Sequence, residues 1–148
     1  AMKCVDEGVA PEAIDAALVA FGMPMGPIEL ADTVGLDVAV HAGKQLVGDA
    51  SPPQKLVALF EAGKLGKKSG QGFYTWTEGK AQKSGVGAGD TANQALTERM
   101  LQPLLAATQR LVRDGIVADA ELADAGVIFG TGFAPYTGGP MNYLASKG

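Results

Sequence analysis

Apolar positions recur at helical spacing along most of this chain, and glycines and prolines, not polar runs, break the pattern. Met2 and Val5 ahead of Gly8 read as the last two turns of a helix with a left-handed stop. The chain therefore reads as beginning inside a longer protein, with Ala1 either native or a cloning remnant. Pro11 suits a first helical position, and Ile14, Ala17, Leu18 and Phe21 then share one face until Gly22. Pro27 starts a short helix that Gly35 breaks. Leu36, Val40 and Val47 mark the core face of the next helix, over 36–49. Ser51 is the expected cap of a further helix over 51–63, with Leu56, Leu59 and Phe60 facing inward and Gly63 as its stop. Around Phe73–Trp76 the chain is expected to be extended, and residues 78–90 have no hydrophobic pattern and read as a linker. Thr91–Asp114 predicts one long helix with a stripe of Leu96, Met100, Leu104, Leu105, Leu111 and Val112, kinked at Pro103. A shorter helix over 119–129 and a Gly/Pro/aromatic tail complete the pattern.

Composition narrows the class. Apolar residues make up 47% and charged residues 19% of 148, so a packed core is expected and disorder is not. A net charge of −4 argues against a nucleic-acid surface, which needs a basic face. Cys4 is the single cysteine and has no internal partner. No signal peptide is visible. Residues 125–146 are uncharged and long enough for a membrane helix, but they hold five glycines and two prolines, which reads as a loop between buried elements, with no membrane span.

The chain repeats itself. "VDEGVAPEAIDAALVAFGMPMGPIEL" lies beside "VRDGIVADAELADAGVIFGTGFAPYTGGPMNYL". Gly8 matches Gly115, Asp15 matches Asp124, Pro24 matches Pro135, Gly26-Pro27 matches Gly139-Pro140, and Leu30 is paired with Leu144. Each copy reads helix, glycine stop, helix, Gly/Pro turn, helix. The expected organisation is a first repeat over 1–78, a linker over 79–90 and a degenerate second repeat over 91–148.

With these motifs in place, "GMPMGPIELADTVGLD" (Gly22–Asp37) followed by "LGKKSGQGFYTW" (Leu65–Trp76) resembles the C-terminal domain of 3-hydroxyacyl-CoA dehydrogenases. "GTGFAPYTGGPMNYL" resembles the second copy found in multifunctional fatty-acid oxidation proteins, which fuse an enoyl-CoA hydratase to the dehydrogenase. The resemblance implies an all-α fold of two related helical units, of the 6-phosphogluconate-dehydrogenase C-terminal type, with the Rossmann domain absent. It implies a parent enzyme that oxidises (S)-3-hydroxyacyl-CoA with NAD, in the cytoplasm. The catalytic His–Glu pair and the NAD site would lie on the missing domain, so no catalytic, cofactor or metal residue is expected in this chain. "GVGAGD" has no strand before it and is discounted as a dinucleotide motif. The family's substrate-contacting Asn precedes Ala1, and Glu98 stands at the matching place of the second copy, which reads as structural. Pro24, Met25 and Leu30 fall where the family lines its acyl pocket. Implied partners are the acyl-CoA substrate, the chain's own Rossmann domain, and a homo-oligomeric partner or a thiolase subunit. The second copy could also substitute for a partner subunit.

Each remaining candidate has a plainer reading. His41, the single histidine, could meet Asp37 one turn before it, as an acid–base pair or, more simply, as a surface contact. Lys64, Lys67, Lys68, Lys80 and Lys83 could meet CoA phosphates or merely be solvated, the second being favoured. Phe73, Tyr74 and Trp76 could stack on adenine, but pinning a tail to the core is the favoured role. Competing classes are a non-enzymatic helical interaction module and the helical domain of a hydroxyacid-type dehydrogenase.

Overall fold

The computed structural model describes residues 1–47, 51–85 and 90–148, with backbone alone for 46–47 and 90–93. Among them are eight α-helices and one hairpin: α1 (Met2–Asp6), α2 (Pro11–Phe21), α3 (Pro27–Val34), α4 (Leu36–Val47), α5 (Gln54–Glu61), β1 (Thr75–Thr77), β2 (Lys80–Gln82), α6 (Asp90–Arg113), α7 (Ala120–Thr131) and α8 (Pro140–Lys147). The all-α expectation holds, with β1 and β2 as a small antiparallel addition.

Two compact units result. The first gathers Ala1–Ala16 with Met25–Ala88, and the second Ala17–Pro24 with Gly89–Gly148. The single stripe read along α2 is therefore shared. Ile14 is fully buried in the first unit, while Leu18 joins Leu101, Leu105 and Phe133 in the core of the second. Phe21 adds edge-to-face ring contacts with Phe133 at 5.6 Å and Tyr143 at 5.3 Å, the geometry that ring quadrupoles favour. The core of the first unit centres on Leu36, Val40 and Leu56, with Leu59, Phe60 and Phe73 packed against it.

Four details depart from expectation. Ser51 does not cap α5, whose N-terminus is at Pro53 and has no cap from its own segment. Asp6 of α1 does that work, its carboxylate accepting from Gln54 N at 2.8 Å and Lys55 N at 2.9 Å. In α6 the buried apolar residues are Leu105, which the stripe included, and Leu101, which it did not, whereas Leu111 is 38% exposed, so the stripe leaves the core before the helix ends. The stretch expected as a linker begins in ordered structure: Lys80–Gln82 pairs with Thr75–Thr77 across a two-residue turn. Glu78 (φ 51°) and Gly79 (φ 76°) both lie in the left-handed region that such a turn requires. The last concerns repeat register. Pro27 and Pro140 open α3 and α8, so Leu30 corresponds to Tyr143 and not to Leu144.

Candidate functional site

The Gly/Pro turn before α3 is held from beneath by one carboxylate. Pro27 occupies the first helical position and has no N–H to satisfy. The next two donors, Ile28 N and Glu29 N, reach the two oxygens of Asp15 at 2.7 and 2.9 Å. Asp15 is 1% exposed. Gly26 leaves room for it, since a Cβ there would lie 2.2 Å from the Asp15 carboxyl carbon. A carboxylate at a helix N-terminus also meets the positive end of the helix dipole. Thus the aspartate, the glycine and the proline form one device.

The same device recurs in the second unit. Asp124 Oδ1 accepts from Met141 N at 2.6 Å and Oδ2 from Asn142 N at 3.0 Å. A Cβ on Gly139 would meet the Asp124 side chain at 2.3 Å. Asp15 and Asp124 were visible in the sequence only as a repeat match. Each lies inside an otherwise apolar stretch of its helix, a short distance before a Gly-Pro helix start, and that pattern was the signal for their role.

In the first unit, the "KKSGQGFYTW" stretch closes on a second buried carboxylate that the sequence reading missed. Asp32, fully buried, accepts from Phe73 N and Tyr74 N, both at 2.9 Å, and from the Trp76 indole N–H at 3.0 Å. A Cβ on Gly66 would lie 2.2 Å from the Asp32 carbonyl oxygen, and one on Gly72 2.3 Å from its carboxylate. The motif's glycines and aromatics therefore serve one contact, and the aromatics pin the tail. Tyr74, itself buried, donates its hydroxyl to Asp15 at 2.7 Å, which joins the tail to the turn. Lys83 pairs with Glu29 at 2.6 Å and lies over the Tyr74 ring, and Ser84 Oγ donates to Glu12 at 2.6 Å.

Charge follows this packing. Burial pushes the Asp15 carboxyl above its ordinary range, against the three hydrogen bonds it accepts. Burial, with the Asp15 carboxylate next to it, raises the Tyr74 phenol well above its usual value, so it stays a donor. The Ser84 hydroxyl holds Glu12 below the usual carboxylate range.

The residues singled out for function separate. Leu30 is 47% exposed on α3, and Val34, one turn on, is 53% exposed, so this helix carries an apolar stripe that its own unit does not bury. Met25 is half-buried, and Pro24 is exposed, its ring 2.9 Å from where a Gly132 Cβ would stand. The structure does not form an Asp37–His41 side-chain pair. His41 Nδ1 faces the Asp37 backbone oxygen at 2.7 Å, and the Asp37 carboxylate is bound to Lys68 at 2.5 Å, which holds it below the ordinary range. Of the other lysines, Lys67 lies over the Trp76 ring at 5.6 Å. Glu98 pairs with Lys147 at 2.7 Å between two clefts of about 440 and 370 Å³ in the second unit, and Lys147 keeps its carboxyl low. Among the described residues, no group of three or more His, Cys, Asp or Glu could hold a metal ion, and no helix is long and apolar enough to cross a membrane.

A buried Asp beneath a Gly-Pro helix start, with a Gly-Phe-Tyr tail folded over it, is the joint around which this helical unit is built. The profile of the 3-hydroxyacyl-CoA dehydrogenase C-terminal domain matches residues 1–76, and the chain belongs to this family. It is 33% identical to the fatty acid oxidation complex subunit alpha of Pseudomonas entomophila and 34% identical to that of Pseudomonas syringae pv. tomato, in each case over 99% of this chain. It spans 23% of the length of those relatives. Its fold is shared with 3-hydroxybutyryl-CoA dehydrogenase from Escherichia coli (TM-score 0.73, 21% identity, 99% of this chain and 50% of that one). It is also shared with the dehydrogenase part of multifunctional enzyme 1 from C. elegans (TM-score 0.67, 23% identity, 86% and 32%).

Proposed function

We propose that this chain is the substrate-cleft part of an NAD-dependent 3-hydroxyacyl-CoA dehydrogenase acting in cytoplasmic fatty-acid β-oxidation, fused in its parent to an enoyl-CoA hydratase. The parent would bind NAD and hold its catalytic pair on a Rossmann domain. The acyl-CoA would be shared with this chain, and an identical protein or a thiolase subunit would be a further partner. Pro24, Met25 and Leu30 are assigned to the acyl pocket wall. The observation that supports this most is the exposed pair Leu30 and Val34, an apolar face on the helix that the buried Asp15 fixes in place. An acyl chain gains by covering such a face, at about 0.8 kcal/mol per methylene buried. The second copy is read as structural, because the acid at its matching place, Glu98, is occupied by Lys147.

A chimera tests this reading. The matching segment of the Pseudomonas entomophila relative is exchanged for residues 1–148 of this chain, and NADH formation is followed. Activity is expected, and Leu30→Asp in that chimera should raise KM for a medium-chain 3-hydroxyacyl-CoA by roughly tenfold or more with kcat less affected. A chimera that folds with the circular dichroism of the relative yet forms no NADH refutes the proposal. So does NAD binding by this chain alone in calorimetry.

A further inference from the structure

The helix that carries the exposed apolar stripe is gripped on its opposite side. α3 has eight residues and is about 12 Å long at about 1.5 Å per residue. A helix so short is marginal alone, so contacts within its unit decide where it lies. Leu30 and Val34 are one turn apart, 47% and 53% exposed. Asp32 lies midway between them in the chain, which at about 3.6 residues per turn puts it on the far side of the helix, and it is fully buried.

The tail makes the grip. Phe73 N, Tyr74 N and the Trp76 indole all donate to the Asp32 carboxylate, and the indole is the one donor of the three that a side chain supplies. Lys67 lies over the Trp76 ring, a second contact that holds the indole in place. At Gly66 and Gly72 the tail backbone approaches Asp32 with no room for a side chain between them. Just past the stripe, Gly35 (φ 113°) ends the helix and Leu36 N donates to the Leu65 carbonyl oxygen at 3.2 Å. The tail therefore meets α3 at its middle and just beyond its end. Packed interiors compress little and transmit strain, so a change in the spacing between the tail and Asp32 passes through the helix to Leu30 and Val34.

We propose that Asp32 is a positioning residue for substrate choice: held by Trp76 and the Phe73–Tyr74 backbone, it sets how far Leu30 and Val34 project, and so how well the parent separates medium-chain from short-chain 3-hydroxyacyl groups. The proposal rests on the assignment of Leu30 to the acyl pocket wall. Leu30 and Val34 are about 6 Å apart along the helix axis. A medium acyl chain has methylenes enough to cover both, and each methylene buried adds to its binding. A short chain has few to place there. A shift of the stripe therefore acts on the medium chain first.

The chimera described above is the test, with medium-chain and short-chain 3-hydroxyacyl-CoA esters as substrates. Trp76→Phe removes the side-chain donor to Asp32 and leaves both backbone donors. It should raise KM for the medium-chain ester about fivefold, and change kcat and the short-chain KM by less than about twofold. In a Leu30→Ala background the same change should have little further effect on KM, because the wall it positions is already cut back. Phe60→Leu is the control: it loosens the core of the same unit between α4 and α5 and should leave the ratio of the two KM values unchanged. In the ¹⁵N-labelled chain itself, Trp76→Phe should move the amide resonances of residues 30–34, a readout that needs no activity. Any of five results overturns the proposal: unchanged KM values in Trp76→Phe, an equal rise in both, full additivity with Leu30→Ala, the same shift in Phe60→Leu, or unmoved amides over 30–34. An unsubstituted chimera that forms no NADH, or a KM indifferent to Leu30→Asp, overturns the assignment of the wall itself and this role of Asp32 with it.

Discussion

Replacing Tyr74 with Phe removes one oxygen from the middle of the first unit. Tyr74 is 3% exposed and its hydroxyl lies 2.7 Å from Asp15 Oδ2, so no water from bulk replaces it freely. A hydrogen bond to a charged group contributes about 1.5–3 kcal/mol, and Asp15 keeps its other two donors, which places the expected loss in that range at neutral pH. The pH dependence has a definite sign. Burial already raises the folded-state value for Asp15 above its ordinary 3.8, and the Tyr74 bond works against that rise. Stability from a raised carboxyl is fully present below its unfolded value and is lost as pH rises through the folded value. Removing the bond raises the folded value further, so the penalty of Tyr74→Phe should be small below about pH 4 and grow towards neutrality. Trp76 is the single tryptophan, and its indole donates to Asp32 in the same unit, so its fluorescence during urea unfolding follows the first unit alone. A loss below about 0.5 kcal/mol at pH 7, or one that increases on acidification, would refute the assignment of Tyr74 as a partner of an ionised Asp15.

Three further outcomes are expected from the same joints. Asp32→Asn keeps the shape but leaves one oxygen where two oxygens serve three donors, so it should cost about 2–4 kcal/mol and shift Trp76 emission to the red before global unfolding. Gly26→Ala and Gly139→Ala each drive a Cβ into a capping aspartate, and each should lower the melting temperature by several degrees, about 2 kcal/mol or more. The Gly139 change should be the worse, since its φ of 111° adds backbone strain. Glu78→Asn should stabilise the first unit by about 0.5–1 kcal/mol in the Trp76 assay, because asparagine tolerates the left-handed conformation that Glu78 is made to adopt.

Helices were legible where glycine and proline punctuate an apolar period, and α2, α3 and α6 fall within one residue of expectation. The division of α2 between two cores was not legible, because Ile14 and Leu18 sit on one continuous face and only the tertiary structure decides which unit each enters. The hairpin at Lys80–Gln82 was missed because its turn is Glu-Gly, not the usual Asn-Gly or Asp-Gly, and its strands carry lysine and threonine. Ser51 was read as a cap by local rule, whereas the cap of α5 is Asp6, which is 48 residues from Gln54 in the chain. Local propensity cannot find such a partner. The candidate site was readable only in part. The turn was recognised as an architectural joint used twice, but the carboxylates that hold it were seen as matches and not as the cause.

The turn that opens α3 and α8 explains how two copies could diverge without either failing to fold. In both, an aspartate, a glycine and a proline fix the helix start through two backbone N–H groups, and those three residues are the same. Around that constant joint the variable positions are outside the capping geometry. Glu29 became Asn142 and Ala20 became Phe129, each changing what the surface can touch, and Leu30 became Tyr143, whose ring packs on Phe21; none changes what holds the turn. A substitution at Leu30 should therefore alter ligand contact and leave stability nearly unchanged, whereas one at Asp15 should do the reverse. The separation of the two effects in one helix start is what lets a single joint carry different surfaces in the two copies.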